Sequence, residues 1–141
     1  MDETVYALLR LGDGADARMK RLSRRLQRIA VYAFGNTYGQ LNAMLGILEE
    51  KRMLENALYY RENLLKGLTD EERRLLFCRA YGISSEKLTG EMGYSSRSVR
   101  RKTKEAVRAA ENILFLLGCD GKSAQECEKV CCIQSGAELS A

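Results

Sequence analysis

The sequence predicts an all-α fold, in which a helical N-terminal part with a long helix precedes a helix-turn-helix. The chain has no proline among its 141 residues, and proline is the residue that most strongly interrupts a helix. Apolar residues also recur at three- and four-residue spacing through most of the chain, as in amphipathic helices. The length suits one domain and is short for two. We expect a helical packing or dimerisation region at 1–68, a helix-turn-helix at 69–118 and a polar, Cys-containing tail at 119–141.

The N-terminal region begins with two predicted helices. A short helix covers residues 4–11 and is expected to break at Gly12-Asp13-Gly14, because glycine weakens a helix. A second helix covers about 16–33. Six cations and no acid lie between residues 18 and 28, namely Arg18, Lys20, Arg21, Arg24, Arg25 and Arg28. This basic helix fits a solvated face over a helical core, and also a second DNA contact or a membrane-surface helix.

A long helix is predicted from about residue 40 to residue 66. Before it, the two glycines of residues 35–39 are expected to break the helical pattern. Its apolar positions approximate a heptad repeat: Leu41, Met44, Leu45, Leu48, Leu54, Leu58 and Leu65. Lys51, Arg52 and Arg61 interrupt this repeat. The helix therefore fits a coiled coil that forms a homodimer, and also a helix that packs on the following module within one chain.

Regular capping signals follow. Thr69 and Glu72 form a capping box at the start of a helix that is predicted to run to Tyr81. Gly82 suits the left-handed position after a helix end, and Ser84 is expected to cap the next helix. Gly93 makes a tight turn, and Ser95 is expected to cap a last helix that ends near residue 117.

The last helix has two opposed faces. At 3.6 residues per turn, one stripe is apolar and requires a core: Val99, Thr103, Ala106, Ala110, Ile113, Leu114 and Leu117. The opposite stripe is cationic and is free to meet an anion: Arg97, Arg101, Lys104 and Arg108.

A short helix, a glycine turn and a basic helix together indicate a helix-turn-helix that reads the major groove of DNA. Leu88, Met92, Tyr94 and Val99 supply the contacts between its two helices. The residues expected to bind DNA are Ser95, Ser96, Arg97, Ser98, Arg100, Arg101, Lys104 and Arg108. Ser96 and the arginines up to residue 101 lie nearest the base edges, whereas Lys104 and Arg108 meet phosphates. The alternative is an ordinary helical hairpin with a solvated charged face.

The same residues follow a wider pattern, which runs from the acidic cap at 69–72 through Gly82 and Ser84-x-x-x-Leu88 to Met92-Gly93-Tyr94-Ser95 and Val99-Arg100. Residues 69–117 thereby resemble region 4 of the bacterial sigma-70 family, and especially its small standalone versions in phage and mobile-element regulators. The resemblance implies double-stranded DNA as the partner, and RNA polymerase as a further one.

The chain departs from this family at several positions. The family usually has Glu at the position of Lys87 and Ala at that of Thr89. Major sigma factors have Arg-Glu where this chain has Ser96-Arg97, so the standard upstream promoter element is not implied as a target. The first 68 residues do not resemble the module that melts promoters. The alternatives are a protein-interaction module that binds RNA polymerase or a sigma-type partner, and a phage DNA-packaging small subunit.

Composition argues against other classes of protein. Histidine is absent, and no Gly-rich phosphate loop follows a strand, so we expect neither an enzyme nor a cofactor. No signal peptide or membrane span is predicted, which favours the cytoplasm. The five cysteines, with four in the last 23 residues, do not form a secreted disulfide framework: Cys78, Cys119, Cys127, Cys131 and Cys132. Cys78 is expected in the core, and we expect the tail to be disordered or loosely docked rather than a metal or redox site.

Overall fold

The computed structural model describes residues 2–32, 37–119 and 125, and the elements within these residues are all helices. There are five, in chain order: α1 (Asp2–Tyr32), α2 (Thr37–Gly67), α3 (Asp70–Ala80), α4 (Ser85–Met92) and α5 (Ser96–Leu117). The predicted all-α fold class is therefore confirmed. Among these residues, no helix is both long enough and apolar enough to span a membrane.

The helix α1 is interrupted at Gly12, where the sequence predicts a break between two helices. Gly12 has φ 34° and ψ −132°, which is outside the helical region, and helical structure resumes directly after it. The break predicted at 12–14 is thus a kink at one residue, because a single glycine without a Cβ can absorb the whole change of direction. The part before the kink is deeply buried through Val5, Leu8 and Leu9, each with no exposed surface.

The part of α1 after the kink pairs with α2 as a helical hairpin. Arg18 and Glu50 join the two helices, with the Arg18 Nε donating to Glu50 Oε1 over 2.8 Å. The second helix starts at Thr37, three residues earlier than predicted, and so includes Gly39. A glycine inside a helix costs only about 1 kcal/mol, which favourable packing can offset.

One hydrophobic core joins the N-terminal helices to the helix-turn-helix. Its main cluster includes Leu8, Leu22 and Leu54 from the first two helices together with Leu76 and Leu114 from α3 and α5. The segments 1–68 and 69–118 therefore share their buried apolar surface. This packing fixes α5 along most of its length and leaves its opposite face at the surface.

Two close contacts hold the ends of helices against this core. The Arg10 Nη1 donates to the carbonyl oxygen of Ala80 over 3.2 Å, which satisfies an acceptor at the C-terminal end of α3. A Cβ on Gly67 would lie 2.8 Å from the Cδ1 of Ile113, so the end of α2 approaches α5 closely.

Candidate nucleic-acid interface

The turn between α4 and α5 has the geometry that its sequence predicts. Gly93 adopts a left-handed conformation with φ 74°, and its N–H donates to the carbonyl oxygen of Thr89 over 3.1 Å. A second small core lies beneath this turn. Leu75, Leu88 and Val99 are buried in it, and Cys78, Met92 and Tyr94 pack against them. The predicted contacts between the two helices are confirmed. Cys78, which was expected in the core, is half-buried at the edge of this small core.

Hydrogen bonds fix where α5 and α3 begin. The Ser98 N–H donates to Ser95 Oγ over 3.2 Å, and the two hydroxyls are 3.0 Å apart. At the start of α3 the capping box is complete, because Glu72 N–H donates to Thr69 Oγ1 and Thr69 N–H donates to Glu72 Oε1. Both predicted caps are confirmed. A serine cap is worth about 1 kcal/mol of helix stability.

The prediction for Ser84 is only half right. This residue occupies the N-cap position of α4, but its side chain makes no capping hydrogen bond within the described structure. Ser84 is exposed, so water can satisfy the first N–H groups of the helix instead.

The residues expected to bind DNA form one surface on α5. The five cations all have exposed side chains, and none of them pairs with a residue whose side chain the structure describes: Arg97, Arg100, Arg101, Lys104 and Arg108. Ser96 and Ser98 are half-buried, and Ser95 is exposed. The hydroxyls of Ser95 and Ser98 are engaged in the cap, so they position the helix.

A groove of about 760 Å³ runs along one side of this surface. Its apolar floor includes Leu88, Val99 and Val107, and Arg100, Lys104 and Arg108 reach it from α5. It also brings in Arg79 from the last turn of α3 and the exposed Ile83. Arg79 was not predicted from the sequence, since helical periodicity does not reveal which end of α3 lies beside α5.

Lys102 is a second residue of this site that was not predicted from the sequence. Its Nζ lies 3.9 Å from the centroid of the Tyr94 ring and donates to Glu71 Oε1 over 3.2 Å. The interaction with Tyr94, followed by the hydrogen bond to Glu71, raises the pKa of Lys102 above its ordinary value of 10.5. One side chain thereby ties α5 to the turn before it and to the first turn of α3.

The basic helix predicted in the N-terminal region is only partly available to a ligand. Arg18 is engaged with Glu50, whereas Lys20, Arg24, Arg25 and Arg28 are exposed. Of the cysteines, Cys78 and Cys119 are half-buried, and neither forms a disulfide within the described residues. The other three, Cys127, Cys131 and Cys132, lie outside the described residues, as does most of the tail whose disorder or loose docking the sequence predicts.

Comparisons with family models, with curated proteins and with solved structures found no match to this chain.

Proposed function

We propose that this protein is a sequence-specific DNA-binding transcriptional regulator that inserts the N-terminal half of α5 into the major groove. The observation that carries the proposal is a set of five exposed cations on one face of α5, which pair with no side chain in the described part of the chain. The core and the Ser95 cap hold this helix in place. Cations left without protein partners on a rigid helix suit a polyanion that supplies regularly spaced charges.

The position of each cation along α5 decides whether we assign it to base edges or to phosphates. Arg97, Arg100 and Arg101 lie in the first two turns, where a recognition helix meets bases. An arginine that binds guanine O6 and N7 through two hydrogen bonds contributes roughly 1–3 kcal/mol of discrimination. Lys104 and Arg108 lie further along the helix and are assigned to phosphates, and we add Arg79 on the opposite side of the groove.

The resemblance to sigma-70 region 4 supports DNA as the ligand and also a role in bacterial transcription. Under this proposal the protein is a phage or mobile-element regulator that acts in the bacterial cytoplasm and contacts RNA polymerase. Its chemistry is binding, so the proposal gives it no catalytic residues, no cofactor and no resident metal.

The groove beside α5 favours a second candidate function. Its apolar floor and basic rim suit an acidic amphipathic helix, which would place apolar side chains on Leu88 and Val107 and carboxylates near Arg79 and Lys104. In that case the protein is an interaction module that binds RNA polymerase or a sigma-type partner. No separate feature of the structure favours the DNA-packaging alternative.

The test is selection of bound fragments from random duplex DNA at 0.15 M salt with non-specific competitor, since this salt suppresses purely electrostatic binding. We expect one recurrent motif. The R97A/R101A double variant should lose affinity for that motif, whereas R24A/R28A, which removes the same charge from α1, should keep most of it. If no motif is recovered, the interaction-module alternative is favoured. If both double variants bind the recovered motif equally well, α5 is not the recognition helix.

A further inference from the structure

An apolar stripe on α2 faces solvent. Tyr38 is 84% exposed, Leu45 62%, Leu41 52% and Leu48 47%. The adjacent Ile47 is only 5% exposed and belongs to the main core, so the stripe lies on a different face of the helix from the one that packs inward. A contiguous apolar patch of this kind on a folded protein marks an interaction surface.

The stripe has the spacing of a coiled-coil seam. Tyr38, Leu41, Leu45 and Leu48 alternate between three- and four-residue steps, and Arg52 and Glu55 continue the same steps. We name these six residues the α2 seam. It extends roughly 26 Å along the helix at 1.5 Å per residue. Arg52 and Glu55 are exposed and form no ion pair with any side chain that the structure describes.

We propose that the α2 seam is the interface with a second copy of this chain, packed antiparallel about a two-fold axis. Such an axis places each residue opposite one residue of the other copy, with their numbers adding to a constant. When that constant is 93, Leu45 packs on Leu48 of the partner subunit. A two-fold contact of this kind is closed, so assembly stops at the dimer.

The charges of the seam select this direction. In the antiparallel register, the aliphatic stem of Arg52 covers Leu41 of the partner subunit, and the Glu55 carboxylate accepts a hydrogen bond from the hydroxyl of the partner's Tyr38. In a parallel pair, Arg52 would face Arg52 and Glu55 would face Glu55. Like charges that face each other across the seam destabilise a helix pair. In the antiparallel pair, by contrast, each contact is either apolar or a hydrogen bond.

Sedimentation equilibrium of the full chain tests the interface. The double variant L45E/L48E should shift the protein from dimer to monomer while its helical circular dichroism is unchanged, because both side chains are exposed within one chain. The matched control is F115E/L116E, which adds the same charge at the two exposed apolar residues of α5. A monomeric wild type, or a dimer that L45E/L48E leaves intact, would overturn the proposal.

Disulfide formation tests the direction of pairing. In a background with all five native cysteines changed to serine, the double variant Y38C/E55C should cross-link under mild oxidation, and neither single variant should. Efficient cross-linking of Y38C alone would indicate a parallel pair and would refute the antiparallel register. Both measurements are made without DNA, so their outcome is independent of the proposed function.

Discussion

The cations of α5 are expected to differ in what they recognise, although all five are exposed. Arg101 keeps its charge when it is changed to lysine but loses the planar pair of donors that matches guanine. R101K should therefore weaken binding to the selected motif much more than binding to random duplex. K104A should instead weaken both to a similar degree and reduce the slope of affinity against salt by about one charge. Fluorescence anisotropy on both duplexes at several salt concentrations measures these effects, and equal behaviour of the two variants would contradict the assignment.

Lys102 carries a pH-dependent contribution to stability. Because the fold raises its pKa, the folded state binds this proton more tightly than the unfolded chain does. The stabilisation is complete below the unfolded pKa of about 10.5 and is lost as the pH rises through the higher folded value. The difference in free energy of unfolding between wild type and K102M should thus be constant from pH 7 to 9.5 and shrink above pH 10.5.

Urea denaturation across that pH range measures the difference. Lys87 is an exposed lysine on α4 for which the structure gives no ion pair with a described side chain, so K87M is the matched control. Its difference from wild type should stay near zero at every pH. A K102M difference that persists unchanged at pH 11.5 would show that packing of the lysine stem, and not its charge, stabilises the start of α5.

At the scale of elements, Gly90 within α4 and Gly93 at its C-cap should respond oppositely to substitution by alanine. Gly93 has φ 74°, where an L-residue with a Cβ is disfavoured by roughly 1–2 kcal/mol. Gly90 lies in the exposed helical part, where alanine is better than glycine by about 0.5–1 kcal/mol. Neither added Cβ would have a neighbour within 4 Å, so backbone conformation alone decides both outcomes. Thermal unfolding should give a lower midpoint for G93A and a higher one for G90A, and a shift of the same sign in both would refute this.

Local signals were enough to predict most helix ends from the sequence. Three such signals are the Thr69 and Glu72 box, the Gly93 turn and the Ser95 cap. In each of them the interacting residues lie within four positions of one another, so a short stretch of sequence includes all of the residues involved. Gly39 shows the limit of such signals. Its weak preference against helix was outweighed by the stability of a long helical hairpin, which no local pattern reveals.

Contacts between distant segments could not be predicted in the same way. Arg10 meets the Ala80 carbonyl 70 residues away, and Lys102 meets Glu71 31 residues away. Periodicity likewise placed Leu45 in the apolar repeat of α2 and left Ile47 out of it, although of the two only Ile47 faces the core. That distinction requires the position of α1, which depends on the kink at Gly12.

At the scale of the whole molecule, the helix-turn-helix depends on the N-terminal helices for its core. Leu8 belongs to the same buried cluster as Leu76 and Leu114 and has no exposed surface. L8A should therefore destabilise the entire protein by about 2–5 kcal/mol, including the proposed DNA-binding surface on α5. L116A removes the same atoms from a side chain that is 84% exposed, and should change the free energy of unfolding little. Urea denaturation followed by circular dichroism compares the two variants.

The same shared core predicts that residues 69–118 do not fold alone. Without α1 and α2, the apolar face of α5 would lose most of its cover, and only the small cluster around Leu75, Leu88 and Val99 would stay buried. About 50 residues with so small a core cannot offset the entropy of ordering the chain. The isolated fragment should therefore give a non-cooperative thermal transition and little dispersion of its amide NMR signals, and it should bind the selected DNA motif far more weakly than the full chain. Cooperative unfolding with full affinity in the fragment would contradict this, and would mean that the N-terminal helices serve assembly alone.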